Sequence, residues 1–221
     1  MATRTKTAKS YSSSSKKKKS SSVAEALRDE VLNLKRDHIL REAAALFYER
    51  GYLQTSVDAI VERLDATKPF FYYHFSSKAD LLVEICVRAT SDALAATEQA
   101  VSQGGAAGDR FVAFVRGFTR SALENHNFVA IYFREEFNLP SEATSRIHAM
   151  RKTIDRRLRT LIADGVEAGE FEVPDSGIAA LLVAGMSSYA FAWYRDKGRL
   201  GMDSVVDQIV QMALKMVKKP A

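Results

Sequence analysis

Positively charged and phenolic side chains are concentrated in one short stretch of the N-terminal half, TKPFFYYHFSSK, which spans residues 67–78. Lysine, tyrosine and threonine side chains are common donors to phosphate oxygens, and backbone N–H groups at helix N-termini favour anions. The opposing interpretation is core packing, which we expect for Phe71 and Phe75 because residues four apart share one helix face. A helix of two turns cannot also bury the other members. The stretch therefore predicts contact with a nucleic-acid backbone.

The segment before this stretch is predicted to be a short helix that supports it. Thr55 is the predicted N-cap of this helix. Asp58 completes a capping box and places a carboxylate at the positive helix end. Between Val57 and Leu64 apolar residues recur at three- and four-residue spacing, which predicts one buried face. The gap between this helix and the next is too short to be a domain linker.

Two further helix starts follow in close succession. Thr67 predicts an N-cap, and Pro69 fits the first turn of a helix that begins at Lys68. Either Ser76 or Ser77 is the predicted N-cap of a third helix. Two short helices joined by a tight turn and followed by a third have the plan of a helix-turn-helix DNA reader.

Residues 35–85 resemble the DNA-binding domain of the tetracycline-repressor (TetR) family of bacterial transcription regulators. The segments ILREAAALFYERGY, TSVDAI, YYHF and SKADLL occur in the family's order and spacing. The resemblance implies that Thr55 and Lys78 contact phosphates and that Phe71 and Phe75 are core. The residues that it implies to approach base edges are Thr67, Lys68, Pro69 and Phe70, and those that it implies to contact backbone or bases are Tyr72, Tyr73 and His74.

Pro69 and Phe70 depart from the family's pattern, which usually has glycine followed by a small or hydroxylated residue. Pro69 removes a backbone donor, and Phe70 cannot form a hydrogen bond with a base. A phenyl ring can still pack against a thymine methyl group. We therefore expect Phe70 to favour a thymine-containing step.

The net charge of +5 lies in the first thirty residues, which carry eight lysines and arginines against three acids. The remainder carries 24 charges of each sign and is formally neutral. Residues 1–22, rich in serine and lysine and without apolar residues to bury, predict disorder, and no signal-peptide apolar run follows them. Two interpretations stay open. Either this arm adds phosphate contacts to DNA binding, or it is a solvated tail.

The rest of the chain is predicted to be all-α, because helical periodicity runs to the C-terminus and no sustained period-two run marks a strand. At 221 residues the chain is long enough to bury a sizeable core. We divide it into a disordered basic arm at residues 1–30, a three-helix helix-turn-helix DNA-binding head at residues 31–82, and a helical ligand-binding and dimerisation domain at residues 83–221.

The C-terminal domain has more aromatic and methionine side chains than one small helical domain usually needs. Each of them taken singly is more often core, but together they predict a cavity for a large apolar effector. The predicted lining residues are Phe111, Phe114, Phe118, Phe128, Tyr132, Phe133, Met150, Met186, Tyr189 and Trp193.

The segment 177–194 is apolar on nearly all sides and has the length of a membrane span, but we expect it to be buried in protein. Its small residues, Ala180, Ala184, Gly185 and Ser188, recur at three- and four-residue spacing and would let another helix approach closely. The TetR resemblance implies that the last two long helices form a four-helix dimer interface. A twofold homodimer would present two heads to successive major grooves.

The region from Arg146 to Trp193 is also similar to the ligand domains of TetR regulators that sense acyl-coenzyme A thioesters, through the segments DRRLRTLIADGVEAGEF and WYRDKGRL. Such a ligand has phosphates, which the arginines at positions 151, 156, 157 and 159 are candidates to bind, although cations on a helix are more often solvated. Effector binding is expected to change the spacing of the heads and weaken DNA binding, with repression as the expected mode.

Two other classes of protein compete with a DNA-binding regulator. An enzyme is not supported, because the sequence has no Gly-rich phosphate loop, no nucleophile elbow and no metal-spaced set of cysteines and histidines. A helical hydrophobic-ligand-binding or interaction protein without DNA binding would leave the polar residues of 67–78 unexplained. We predict no cofactor and no metal. The single cysteine, Cys86, suits core packing in a reducing cytoplasm.

Overall fold

A computed structural model describes the backbone of residues 12–218 and the side chains of residues 26–218. The helices in this range are α1 Ser12–Arg50, α2 Val57–Arg63, α3 Lys68–His74, α4 Lys78–Val101, α5 Ala107–Glu124, α6 His126–Glu135, α7 Ser141–Glu167, α8 Ser176–Ser188, α9 Ala190–Trp193 and α10 Met202–Val217. A 3-10 turn, Glu136–Asn138, follows α6. Within the described range the one β-type contact is an isolated bridge between Phe171 and Lys218. The all-α prediction is confirmed.

The predicted disorder of residues 1–30 is wrong for the part of that segment that the structure describes. Residues 12–30 belong to α1, which continues for 39 residues into the head. No proline or glycine interrupts this run. Its lysines, alanines and leucines are good helix formers, so a helix anchored in the head can extend outward from it. Residues 1–11 lie outside the described residues.

The head is formed by the C-terminal part of α1, by α2 and α3, and by the start of α4. Its core contains the buried rings of Phe47, Phe71 and Phe75, and the same core continues into α6 through Ile131. α4 runs past Leu82, where the sequence analysis placed the end of the head, without a break. The head and the remaining helices, which we call the body, therefore share one helix and one continuous core.

The body has a second core between α5, α7, α8 and α10, built on buried residues such as Phe111 and Leu158. The start of α5 is held by a residue that is remote in sequence. The Glu170 carboxylate accepts hydrogen bonds from the backbone N–H groups of Ala107 and Gly108, at 3.1 and 2.8 Å. The helix N-terminus is thus stabilised by an anion from the loop after α7.

The sequence predicted one buried helix over the apolar segment 177–194, and this prediction is wrong. α8 ends at Ser188, and the short α9 follows it. One face of α8 packs into the body core through Val183 and Ser187, while the other exposes large side chains such as Leu181, which is 61% exposed. Among the described residues, Ser176–Trp193 is the one stretch with the length and mean hydropathy, 1.4, of a membrane span.

Candidate nucleic-acid interface and effector cavity

The start of α2 is capped by Ser56, one residue later than the sequence predicted. The Ser56 hydroxyl accepts a hydrogen bond from the backbone N–H of Ala59 at 3.1 Å. Thr55 is only 1% exposed, and its hydroxyl donates to the backbone carbonyl of Gly51 at 2.8 Å. The predicted cap and the implied phosphate contact of Thr55 are therefore both wrong, because its buried hydroxyl is bonded to a backbone carbonyl at the end of α1.

The turn between α2 and α3 is a Schellman motif. The N–H of Asp65 donates to the carbonyl of Glu62 at 3.1 Å, and the N–H of Ala66 donates to the carbonyl of Val61 at 2.9 Å. Asp65 occupies the left-handed position, with a φ of 48°. This arrangement satisfies the last carbonyls of α2 and sends the chain directly into α3.

α3 begins with the predicted cap and presents its polar side chains outward. The Thr67 hydroxyl accepts from the backbone N–H of Phe70 at 3.4 Å, and Pro69 lies in the first turn. Lys68 is exposed, and its Nζ lies 2.9 Å from Oδ1 of Asp58 on α2. The hydrogen bond to Asp58 raises the pKa of Lys68 above its usual value, so this lysine stays a cation.

Phe71 and Phe75 anchor α3 in the core as predicted, and both rings are buried. On the opposite face Tyr72 is 52% exposed and Tyr73 is 71% exposed. The α3 surface therefore combines two free phenols, a lysine and the exposed Thr67 on one side of a helix whose other side is fixed. This is the geometry of a helix that can enter a groove.

Lys78, at the start of α4, makes its hydrogen bonds within the head. Its Nζ donates to the backbone carbonyls of Tyr52 and Thr55, at 2.9 and 2.8 Å, and lies 4.4 Å from the centre of the Tyr52 ring. Burial lowers the pKa of Lys78. The structure thus gives Lys78 an internal capping role in place of the phosphate contact that the family resemblance implied.

His74 and Phe70 form a small aromatic contact at the end of α3, with ring centres 5.0 Å apart. Burial and the nearby charges of Arg36 and Lys35 lower the pKa of His74, so its imidazole is neutral near neutral pH. Arg36 ties this end of α3 to α4, because its guanidinium donates to the backbone carbonyl of His74 and pairs with Glu84. His74 therefore has a neutral imidazole, and Arg36 fixes the position of its backbone.

A cavity of about 200 Å³ lies between α4, α5, α6, α7 and α8. Its floor is made of buried residues such as Ala89, Phe118 and Val129. Its mouth is formed by exposed residues of three helices, including Phe133 on α6, Arg151 on α7 and Leu181 on α8. The cavity is larger than the roughly 150 Å³ that accommodates benzene in an apolar protein interior.

The mouth of the cavity is polar on its α7 side. Arg151 donates a hydrogen bond to the Tyr132 hydroxyl at 2.8 Å. Burial raises the pKa of Tyr132 and the pKa of Asp155, while the charge of Arg151 opposes the shift of Asp155. An arginine and a carboxylate thus flank an apolar cleft, as in a site that orients an amphipathic small molecule.

α6 connects the cavity to the head. Tyr132 and Phe133 line the cavity, and the next residue, Arg134, donates to the backbone carbonyl of Phe47 at 3.1 Å near the end of α1. Its Nη2 also lies 3.5 Å from the Tyr48 carbonyl. A displacement of this turn of α6 would therefore move the last carbonyls of α1, which precede the loop held by Lys78.

Two family models match the chain. The model described as "Bacterial regulatory proteins, tetR family" matches residues 39–85, and the model described as "Tetracyclin repressor-like, C-terminal domain" matches residues 104–217, which is more than half of the sequence. The chain belongs to the TetR family. Its members are DNA-binding transcription regulators, and transcriptional regulation is the general function of this chain.

Named relatives agree with this assignment. HTH-type transcriptional activator FasR of Mycolicibacterium smegmatis is 24% identical over 188 residues, which cover 84% of this chain and 82% of that protein. HTH-type transcriptional repressor KstR2 of Rhodococcus jostii is 27% identical over 188 residues, with 84% and 92% covered. The crystal structure of AibR in complex with isovaleryl coenzyme A and operator DNA has the same fold, with a TM-score of 0.70 at 24% identity over 80% of this chain and 97% of that one.

Three of the ten predicted effector residues line the cavity of this TetR-family protein, namely Phe118, Tyr132 and Phe133. The others lie elsewhere because the large rings serve to fill the two cores or the surface. Phe111, Phe114 and Phe128 are buried in core packing, Met150 and Met186 are partly buried against the cores, and Tyr189 and Trp193 are exposed outside the cavity.

Most of the cavity-lining residues that the sequence analysis missed are small. Ala184, Gly185 and Ser188 of α8 line the cavity, although their spacing was interpreted as room for an approaching helix. Ala89 and Ala122 line it from α4 and α5. Space in this body arises where short side chains face each other, and because that arrangement depends on tertiary packing, no local sequence signal could have located the cavity.

Proposed function

We propose that this protein is a homodimeric regulator that binds an operator through two heads and releases it when a small hydrophobic effector enters the body cavity. The cavity beside α6, with an arginine at its mouth and a direct hydrogen bond from α6 to the head, is the observation that carries the proposal. A ligand that binds one pose of the body better than another shifts the population toward that pose.

DNA contact is assigned to the outer surface of α3. Lys68 supplies a cation, and Thr67, Tyr72 and Tyr73 supply hydroxyl groups that suit phosphate and base edges. The remaining members of this surface are Pro69, Phe70 and His74, of which Phe70 is the candidate for a thymine methyl contact. Thr55 and Lys78 are left out, because their polar groups are engaged inside the head.

Phe70 can be tested by its base preference. Sites are selected from random duplexes by the native protein and by Phe70→Ala, and the two sets are compared position by position. Loss of one methyl-to-ring contact is expected to relax discrimination at a single thymine while overall affinity changes less than about tenfold. Two identical sets of selected sites would remove Phe70 from the specificity determinants.

The homodimer is assigned to α8 and α10. Both helices expose large apolar side chains on the surface away from the core, and such a patch on a soluble chain indicates a partner. The exposed residues are Ile178, Leu181 and Leu182 of α8, Met212 and Met216 of α10, and, directly after α8, Tyr189 and Trp193. In the dimer this face would also cover Leu181 and Gly185 at the mouth of the cavity, so that effector binding and dimerisation would be linked. A monomeric mass at micromolar concentration would exclude this assignment.

The effector class that fits best is a short acyl group or ring joined to a larger anionic carrier, such as an acyl-coenzyme A thioester. A cavity of about 200 Å³ is below the roughly 300–1,000 Å³ typical of sites that enclose drug-sized ligands, so the carrier would remain outside. Arg151 at the mouth is the candidate for the carrier's anionic or carbonyl oxygens. Arg157 is paired with Glu98 at 3.0 Å and is not a candidate. The isovaleryl coenzyme A complex of AibR supports this class.

A thermal-melt screen tests the effector. Coenzyme A thioesters of increasing acyl length, free coenzyme A, and the matching free acids are compared at equal concentration. A compound at a hundred times its Kd adds about 2.7 kcal/mol to the stability of the folded state, which a melt resolves. Short thioesters are expected to shift the midpoint, and free coenzyme A is not.

A matched pair of variants locates the binding site in the same screen. Ala184→Phe places a ring in the cavity and is expected to abolish the shift, whereas Ala163→Phe, on the exposed surface of α7, is expected to preserve it. A shift that survives Ala184→Phe would place the effector elsewhere. Absence of any shift across the panel would leave the DNA-binding proposal intact and remove the thioester class.

Coupling between cavity and operator is assigned to Arg134. Arg134→Gln removes the charged donor to the α1 carbonyls without changing the cavity lining. The expected result is a smaller effect of the effector on operator affinity, whereas the effector's own affinity in the absence of DNA is unchanged. An unchanged coupling factor would show that the signal does not pass through Arg134. Both named relatives, a repressor and an activator, are compatible with this scheme, and we favour repression by promoter occlusion.

A further inference from the structure

The part of α1 that precedes the head, residues 12–35, forms an arm with an apolar stripe on its surface. Leu27, Val31 and Leu34 are 56%, 48% and 64% exposed, and they belong to neither of the two hydrophobic cores. Spacings of four and then three residues place the three side chains on one helix face. Single exposed apolar residues are common, but an aligned set on a projecting helix has no function in the fold of its own chain.

The spacing of the stripe matches the seam of a coiled coil. With Val31 at heptad position a, Leu27 and Leu34 occupy position d, which is the combination that favours two parallel strands. In this register Glu30 is at position g and Lys35 at position e. Position g of one strand faces position e of the next heptad on the other strand, so Glu30 would face Lys35 of a second copy.

The two charges are free for such a pairing. Neither Glu30 nor Lys35 has an opposite charge three or four residues away on its own helix, where intrahelical pairs form. No ion pair involves either of them within the described part of the chain. An apolar seam flanked by opposite charges at the facing positions is complementary to itself in the parallel orientation.

We propose that the arm is a docking surface for the arm of a second copy of this chain, through a short parallel coiled coil over residues 27–35. The two copies belong to different dimers, a step that rests on the homodimer proposed above. Heads of one dimer that enter successive major grooves lie roughly 34 Å apart, so their arms cannot lie side by side in parallel. Paired arms therefore join two dimers, most readily dimers bound at neighbouring operators.

The length of the seam sets the strength of the association. A little more than one heptad holds two free chains together only weakly, so association in solution requires high protein concentration, whereas dimers on neighbouring sites present their arms at high effective concentration.

Sedimentation of the full-length protein tests the stripe. At high protein concentration the native chain is expected to show a dimer–tetramer equilibrium that persists at high ionic strength because its seam is apolar, whereas phosphate contacts by the arm would be lost with salt. Leu27→Glu combined with Leu34→Glu is expected to weaken this association by at least about tenfold. The control, Ala26→Glu combined with Asn33→Glu, adds the same charges on the outer face of the same helix and is expected to retain the association.

Charge reversal tests the register and orientation. Glu30→Lys is expected to weaken the tetramer, and adding Lys35→Glu to it is expected to restore the native equilibrium. A native chain that remains a dimer at the highest protein concentrations, or an equal response of the stripe and control variants, would overturn the proposal. If the stripe variant instead lowers affinity for a single operator and leaves association unchanged, the stripe lies on DNA and the proposal is also overturned.

Discussion

The helices α2 to α4 of the head are all capped by the side chain of the residue before them, whereas most helices of the body are not. α2, α3 and α4 of the head are capped by Ser56, Thr67 and Ser77, each the residue directly before its helix. α5 of the body follows Ala106, which has no capping side chain, and its first N–H groups bind the Glu170 carboxylate from the loop after α7. The helix starts of the head are therefore specified by neighbours in sequence, as is the start of α8, which Asp175 caps, whereas α5 depends on a partner that it meets only after folding.

The head and the body also differ in how their interiors are packed. The head core is closed around large rings, and α3, with seven residues, depends on Phe71 for its attachment. The body leaves a cavity of about 200 Å³ where small residues from several helices face each other. A DNA-reading surface requires a fixed helix, whereas an effector site requires room, and each region has the packing that its proposed role needs.

Removal of the ring that anchors α3 is expected to have the largest effect. Phe71→Ala deletes a fully buried side chain and leaves a cavity, at a cost of about 3–5 kcal/mol in the free energy of unfolding. Chemical denaturation at a fixed protein concentration measures this loss. Tyr73→Ala on the exposed face of the same helix is the control and is expected to change stability by less than about 0.5 kcal/mol. Equal losses would mean that α3 is not held by its inner face.

The remote cap of α5 ranks second. Glu170→Gln keeps the size of the side chain but removes the charge that binds two backbone N–H groups, and hydrogen bonds to charged groups contribute about 1.5–3 kcal/mol. Hydrogen exchange is expected to show faster opening at the start of α5 and no change in α2 or α3. The matched control is Glu172→Gln, an exposed carboxylate in the same loop. A loss spread evenly over the chain would contradict a local cap.

The difference between local and remote contacts also explains what the sequence alone could predict. The inner ring Phe71 and the cap Thr67 were located correctly, and the cap of α4 was narrowed to Ser76 or Ser77, of which the structure has Ser77, because capping and helical spacing depend on residues at most four positions apart. Phe111 and Phe114 were assigned to the cavity because large rings are found both in cores and around ligands, and composition does not distinguish the two. Which alanines face one another across five helices depends on tertiary packing, and no local pattern records it.

The local cap of α2 is expected to have a smaller effect than the remote cap of α5. Ser56→Ala removes the acceptor for the Ala59 N–H, and replacing such a cap costs about 1 kcal/mol. Ser76→Ala, next to the cap of α4 but not part of it, is the matched control. The measurement is again denaturation, with hydrogen exchange at the start of α2. If Ser56→Ala left stability unchanged, capping of α2 would have to come from another residue.

The smallest expected effect has the opposite sign and concerns the turn between α2 and α3. Asp65 adopts a φ of 48°, a region that costs most L-residues about 1–2 kcal/mol and glycine almost nothing. Asp65→Gly is therefore expected to stabilise the head by about 0.5 kcal/mol, after the larger unfolded-state entropy of glycine is subtracted. Asp65→Ala removes the same charge but not the strain, and because alanine tolerates this region less well than aspartate it is expected to destabilise the head. Opposite signs for the two variants would establish backbone conformation as the cause, whereas equal gains would point to removal of a negative charge from the C-terminal end of α2.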